Sequence, residues 1–279
     1  QMQYRSLRIP CCSICNQEDL SRLETTISSA VASGYDACAA LPERLLYLWA
    51  GKLYYGILRK ETTLLQDRAR PRDGNIIGAD VLQSFSELHL FLQGIRGRHE
   101  FSSDVPYSVL VCNLHDVGQP RNYCFRDSLH HMVVALRLGE VGFIVALEDA
   151  GLTRSSYGRY VSAVAGRKLH PIQFEELCVK VLYQISLLEG GVTYITSKSQ
   201  SKERPIRTDV LGGGSLRPRS QEEFSRVLRP FVEDWLRAKG EGAQWFVPPN
   251  LVPTWMSDPS GELLFRSIFE WESGAALDA

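Results

Sequence analysis

The chain has 279 residues, 44% of them hydrophobic, 10% aromatic and 23% charged, which suits a folded core and excludes wholesale disorder, collagen-like repeats and a coiled coil. Lysine and arginine total 31 against 32 aspartate and glutamate, a formal charge of −1, so no global field advertises a polyanionic partner. Apolar runs are short, Met132 to Leu136 and Phe143 to Leu147 being five residues each, far below the roughly 18 to 20 of a spanning helix, so no membrane partner is expected.

Apolar positions Leu20, Leu23, Ile27 and Val31 recur at helical spacing and stop at Gly34, which predicts an amphipathic helix. A second helix is predicted from Pro42, with Leu45, Leu46, Trp49, Leu53 and Ile57 on one stripe. Residues 59–72 hold five basic and two acidic side chains and end in the turn signal Pro71-Arg72-Asp73-Gly74, an exposed connection. A third helix is predicted over Ala79 to Gln93, closed by Gly94.

The period then changes. Tyr107 to Leu114, Asn122 to Leu129, Met132 to Leu138 and Val141 to Leu147 read as strands of an antiparallel meander, with Gly139-Glu140 as a two-residue hairpin turn. His170-Pro171 opens a further helix that Gly190-Gly191 is expected to terminate, followed by two strands over Val192 to Thr196 and Ile206 to Leu211. Gly212-Gly213-Gly214 reads as a flexible joint, Ser220 to Glu223 as a capping box opening a last helix, and Pro230 as a kink or early end to it. The last forty residues, rich in proline, read as irregular chain. The fold class is α+β: a helical, cysteine-bearing front over residues 1–100 and a mixed body over 101–279 around an antiparallel sheet of four to six strands.

Seven cysteines, an odd number in a chain able to build its own core, argue against a disulfide framework and for thiols or metal ligands. The amino end carries no secretory signal pattern, so the chain reads as intracellular and cytoplasmic. Cys12-Ser13-Ile14-Cys15 is a C-x-x-C pair, with Cys11 able to replace Cys12, a spacing that lets two thiolates reach one tetrahedral zinc ion. Cys12 and Cys15 are the candidate ligands of a structural zinc, and neither Cys38 nor His89 completes a usual site.

Cys12-Ser13-Ile14-Cys15-Asn16, then Leu20-Ser21-Arg22-Leu23-Glu24, then Leu48-Trp49-Ala50-Gly51-Lys52 resembles a group of bacterial proteins related to the HNH endonucleases. There a C-x-x-C-N is followed by an L-S-x-L-E segment and a helix reading roughly L-x-x-W-x-x-K; the likeness covers about residues 9–60. Three further phrases, Leu65 to Arg68, Phe125 to Ser128 and His170 to Phe174, are similar to landmarks of that group. The resemblance implies that Cys12 and Cys15 supply half of a structural zinc site. It also implies action on or near nucleic acid, in bacterial defence or mobile-element biology. The other cysteine pair and the catalytic histidine of that family would lie before Gln1, and no histidine precedes His89, so this segment cannot assemble the family's mechanism.

Three other constellations compete. Cys124, Asp127, His130 and His131 could form a Cys-His hydrolase, although strand alternation divides them. Glu148-Asp149 could join Asp127 as metal-binding carboxylates. Basic clusters at Arg59, Lys60, Arg68, Arg70 and Arg72, extended by Arg96 and Arg98, and over Lys198 to Arg219, could neutralise phosphates. The leading expectation is an HNH-like, zinc-ribbon-containing protein on nucleic acid. The alternative is a non-catalytic protein-interaction module whose cysteines hold structure and whose middle sheet docks a partner chain.

Overall fold

The computed structural model describes residues 13–102, 104–118, 122–156, 158–197, 204–238 and Met256. A short lead, α1 (Ser13–Cys15) and a wide turn at Asn16–Leu20, runs into α2 (Ser21–Ser33), which buries Leu23, Ile27 and Ala30 at three- and four-residue spacing. It stops at Gly34, whose φ of 94° is open to glycine at little cost. After α3 (Tyr35–Ala39) comes α4 (Glu43–Glu61), with Pro42 as its cap rather than its first residue. α4 buries Leu46 through Gly51 without a break, then Tyr54, Gly56, Ile57 and Leu58, so it is a central helix rather than a surface one.

The third predicted helix is broken into a 3₁₀ turn (Ala79–Phe85), α5 (Ser86–Phe91) and a second 3₁₀ turn (Leu92–Arg96), and Gly97 closes it at a φ of 66°. Gly94 lies inside instead, because a Cβ there would stand 3.0 Å from the Arg44 guanidinium and 3.2 Å from the His99 carbonyl oxygen. It is a close approach of two chain segments, not a stop.

Next come β1 (His99–Phe101), β2 (Ser108–Leu114), β3 (Tyr123–Ser128), β4 (Val133–Leu138) and β5 (Val141–Ala146). They are followed by α6 (Leu152–Ser156), α7 (Gly158–Val164), β6 (Lys168–Leu169), α8 (Pro171–Ser186), β7 (Leu188–Ser197), β8 (Ile206–Leu216) and α9 (Gln221–Ala238). The main sheet has the order β3-β4-β5-β2-β6, antiparallel except where β6 joins β2. Alternation along its strands sends Val109, Val134, Leu136, Phe143 and Val145 toward α4, and Leu110, Cys112, Ala135, Ile144 and Ala146 toward α8. Helices cover both faces, which is why these strands read as nearly unbroken apolar runs. α4 thus joins the helical front and the sheet in one core.

α8 starts at a reciprocal cap: the Ile172 amide donates to His170 Nδ1 (3.2 Å) and the His170 amide to Gln173 Oε1 (2.9 Å). One turn on, the Phe174 ring lies against Gly142, where a Cβ would stand 2.5 Å from a ring carbon. A second sheet, β1-β8-β7, pairs β8 in parallel with β1 and antiparallel with β7. Here two expectations are corrected. α8 ends at Ser186, and Gly190, Gly191 and Gly212 to Gly214 are irregular ladder positions within β7 and β8. A Cβ at Gly214 would collide with the Glu189 carbonyl, so Gly214 lets two backbones approach rather than making a joint. α9 continues through Pro230. The expectation for the last forty residues falls outside the described residues, Met256 excepted.

Candidate functional site

α4 ends with Arg59 and Lys60 in its last turn, where cations suit the helix dipole. The chain then closes a small hairpin. The Gln66 amide donates to the Gly74 carbonyl (3.0 Å), the Ile76 amide to Leu64 (2.8 Å), and Asn75 Nδ2 to the Thr62 carbonyl (2.6 Å), which ties the base to α4. At the tip, Asp67 organises the turn by accepting from the Ala69 amide (2.8 Å) and from Arg70 Nε (2.9 Å); both bonds hold its carboxyl below the usual range, the Arg70 bond most. Arg70 also lies 3.4 Å from Asp73. Arg68, Arg70 and Arg72 are all exposed. Arg59, Lys60, Arg68 and Arg72 make no ion pair among the described residues. The five predicted basic residues therefore fall on two consecutive pieces of chain, Arg59 and Lys60 on the last turn of α4 and the three arginines on the hairpin: four make no ion pair among the described residues and one, Arg70, is tied to its own loop.

The other basic residues differ. Arg96 lies 3.4 Å from Asp19, Arg207 Nε donates to Glu100 (2.5 Å), and Arg217 to Glu223 (2.8 Å). Lys198 and Lys202 lie outside the described residues. Of the six basic residues over Lys198 to Arg219, Arg207 and Arg217 thus pair with carboxylates and Arg219 lies over the Tyr183 and Phe224 rings, whereas four of the five basic residues at the end of α4 and on its hairpin make no ion pair among the described residues.

A cavity of about 400 Å³ opens near the turn between β3 and β4, lined by His130, His131, Met132, Glu148, Ile185, Ser186, Leu188, Gly191 and Val192. Tyr54 of α4 anchors that turn by donating to the Leu129 carbonyl (3.1 Å). Met132 adopts a φ of 50°, uncommon for a residue with a side chain, and its carbonyl accepts from the Leu147 amide (2.8 Å). His131 Nδ1 is 2.8 Å from Ser128 Oγ, and burial together with neighbouring His130 pushes its pKa down. Burial, and next the charge of Glu87, push Glu148 up to about 7, although Tyr194 donates to it at 3.4 Å.

The proposed Cys-His arrangement is not assembled. Cys124 points to the α8 side and donates to Glu175 Oε1 (3.4 Å), while Glu175 Oε2 accepts from Arg126 Nε (2.7 Å). Burial, reinforced by Glu175, pushes the Cys124 thiol up to about 12, so it is not a thiolate nucleophile at neutral pH. Asp127, one residue out of phase, takes the opposite face of β3. Asp149 is also structural, accepting from Ser108 Oγ (3.1 Å) and from the Thr153 amide (2.8 Å) where α6 begins. Glu148 and His131 instead line one cavity, apart from Cys124, which faces α8. Ser186, Leu188 and Val192 carry no signal, since they meet the cavity only because α8 turns directly into β7.

The residues carrying the family resemblance acquire structural roles. Glu24 of the L-S-x-L-E segment forms an ion pair with Lys52 of the tryptophan helix, clamping α2 to α4, and Trp49 packs edge-on to Phe143 at 5.5 Å. Cys12 lies outside the described residues. Cys15 is disulfide-bonded, against the expectation of thiols or ligands only, to a partner outside the described residues. Sulfurs crowded into so short a stretch are placed to oxidise as readily as to share an ion. Cys38, Cys112, Cys124 and Cys178 are free thiols. Among the described residues no group of three or more metal-ligating side chains is placed to hold an ion, and no helix is long and apolar enough to cross a membrane. Comparison with known protein families, characterised proteins and solved structures finds no match to this chain.

Proposed function

We propose that this chain acts on nucleic acid as a relative of the HNH endonucleases, gripping a phosphate backbone with the hairpin that follows α4. The observation carrying this reading is that Arg59 and Lys60 in the last turn of α4, and Arg68 and Arg72 on the hairpin hydrogen-bonded to its end, are none of them committed to an ion pair among the described residues. Such a patch neutralises phosphates without reading sequence. No described residue is assigned a catalytic role. The test is fluorescence anisotropy with a labelled duplex and its single strand at low salt. Binding is expected, and it weakens when Arg68 and Arg72 become alanine. Absence of binding by the folded wild-type chain at low salt would overturn the reading.

Structural zinc belongs to this proposal in the reduced state only. A sulfur held in a disulfide offers no thiolate, so Cys15 with Cys12 would ligate zinc after reduction. Zinc measured in reducing buffer, and its loss in the Cys12→Ser Cys15→Ser protein, tests that element.

The second reading, a protein-interaction module, draws on the small sheet and not on the middle one, whose two faces are covered by α4 and α8. β7 is an edge strand, and Ile195 and Leu211 are 53% and 58% exposed on the β7–β8 pair. Solution mass measurement of the chain with and without Ile195→Lys, which removes one of these apolar groups, addresses that reading through self-association.

A further inference from the structure

We propose that the cavity beside the β3–β4 turn is a binding site for a small organic cation, an alkylammonium group with a short aliphatic body. This inference stands apart from the nucleic-acid reading, because it concerns a different surface and a ligand of opposite charge.

The argument begins with Glu148. It lines the cavity at the end of β5, mostly removed from water, and its one hydrogen bond among the described residues is a long one from Tyr194. Every element packed around it presents a group that cannot neutralise it permanently: Tyr47 and Tyr54 from α4, Glu87 from α5, Tyr194 from β7, adjoining Asp149, and His130 and His131 from the turn. Glu61 and Asp127 add negative charge near Tyr54. No lysine or arginine of the described residues pairs with Glu148. A carboxylate so placed is held against its own ionisation, and a cation entering the cavity would relieve that cost.

The remaining lining sets the body of the ligand. Met132, Ile185, Leu188 and Val192 supply aliphatic walls, while Ser186 offers a hydroxyl. About 400 Å³ falls at the lower end of the range of small-molecule sites. A short chain on an ammonium head satisfies both halves, with the nitrogen at Glu148 and the carbons along the walls. Met132, strained at its φ of 50° and held by the Leu147 amide, fixes the turn that carries the two histidines along one side of the cavity. Ionised Glu148 attracts a cation and its protonated form does not, so affinity should rise with pH through neutrality.

Isothermal titration calorimetry with n-butylammonium and with 1-butanol, its neutral counterpart, tests the proposal. The ammonium should bind more than about tenfold tighter than the alcohol, the worth of one charge-assisted hydrogen bond in a half-buried site. Its affinity should increase from about pH 6 to about pH 8, and Glu148→Gln should reduce it to the level of the alcohol. Val192→Trp, which fills the cavity from β7 without touching the carboxylate, should abolish binding of both; near-ultraviolet circular dichroism confirms that each variant is folded. N-acetyl-lysine methylamide separates the two sources of such a cation. Tighter binding than butylammonium points to a lysine of a partner chain, and weaker binding points to a free amine. Equal affinity for amine and alcohol, full affinity in Glu148→Gln, or no binding of butylammonium at millimolar concentration by the wild-type protein would each overturn the proposal.

Discussion

Replacing Gly142 with alanine probes the contact on which the layered core depends. The new Cβ would stand 2.5 and 2.9 Å from two carbons of the Phe174 ring and 3.0 Å from a Leu114 methyl. Carbon atoms rest at about 3.5 to 4.0 Å, so the ring must withdraw by roughly 1 Å inside a close-packed layer. Overpacking of this kind costs about 1 to 3 kcal/mol. With a urea slope near 3 kcal/mol per molar for a chain of this length, the unfolding midpoint should fall by roughly 0.3 to 1 M. Phe174→Leu alone should cost about 1 kcal/mol, yet combined with Gly142→Ala it should restore part of the loss, giving a favourable coupling of at least about 0.5 kcal/mol in the double-mutant cycle. A Gly142→Ala midpoint equal to the wild type, or strictly additive effects, would show that α8 does not lie on β5 as described.

Three further predictions follow from buried groups and from the glycine ladder. Cys124, with its thiol pushed up to about 12, should react with iodoacetamide at neutral pH far more slowly than a free thiol, as peptide mass mapping of the native chain would reveal; rapid labelling would contradict its burial against Glu175. Glu148 and His99 should tilt the pH dependence of stability in opposite directions. Glu148 ionises near 7 when folded but near 4.5 when unfolded, so stability falls as pH rises between these values, and Glu148→Gln should remove that loss. His99, buried and 2.9 Å from Thr208, titrates near 4 when folded against 6.5 when unfolded, so stability falls as pH drops through that window and His99→Gln should flatten it; urea titrations at a series of pH values read both. Gly214→Ala should part β7 from β8, because the obstruction is the Glu189 backbone and no side chain can yield; hydrogen exchange at the amides of β7 should accelerate, and unchanged protection would refute the close approach.

How much of this was legible in the sequence depended on whether one period or several constraints shaped a segment. α2 and the four strands β2 to β5 follow a single repeat, and their expected spans agree with the observed ones to within a residue or two, except for the start of α2. The third helix departs from expectation because Leu88, Phe91 and Leu92 keep helical spacing across a chain that tightens into 3₁₀ turns at both ends. Glycines were the chief source of error. Gly94 and Gly214 resemble a stop and a joint locally, whereas close approaches between distant segments require them, and Gly190 and Gly191 take up positive φ inside a strand instead of ending a helix. Five basic residues of the site were readable as a charge surplus, but not that Arg70 would be bound by Asp67 and Asp73 while Arg68 and Arg72 stayed free of ion pairs among the described residues. The cavity was illegible for a different reason: it joins a hairpin turn, the end of β5 and the α8–β7 corner, which only the fold brings together.

The salt dependence of duplex binding, measured one arginine at a time, tests the central claim most directly. Each phosphate contact contributes about 0.9 to the slope of log affinity against log salt. Arg68→Ala and Arg72→Ala should each lower the slope by about that amount, while Arg70→Ala, already paired within its loop, should lower it by less than about half as much. Slopes unchanged in all three variants would place any nucleic-acid contact elsewhere and contradict the account.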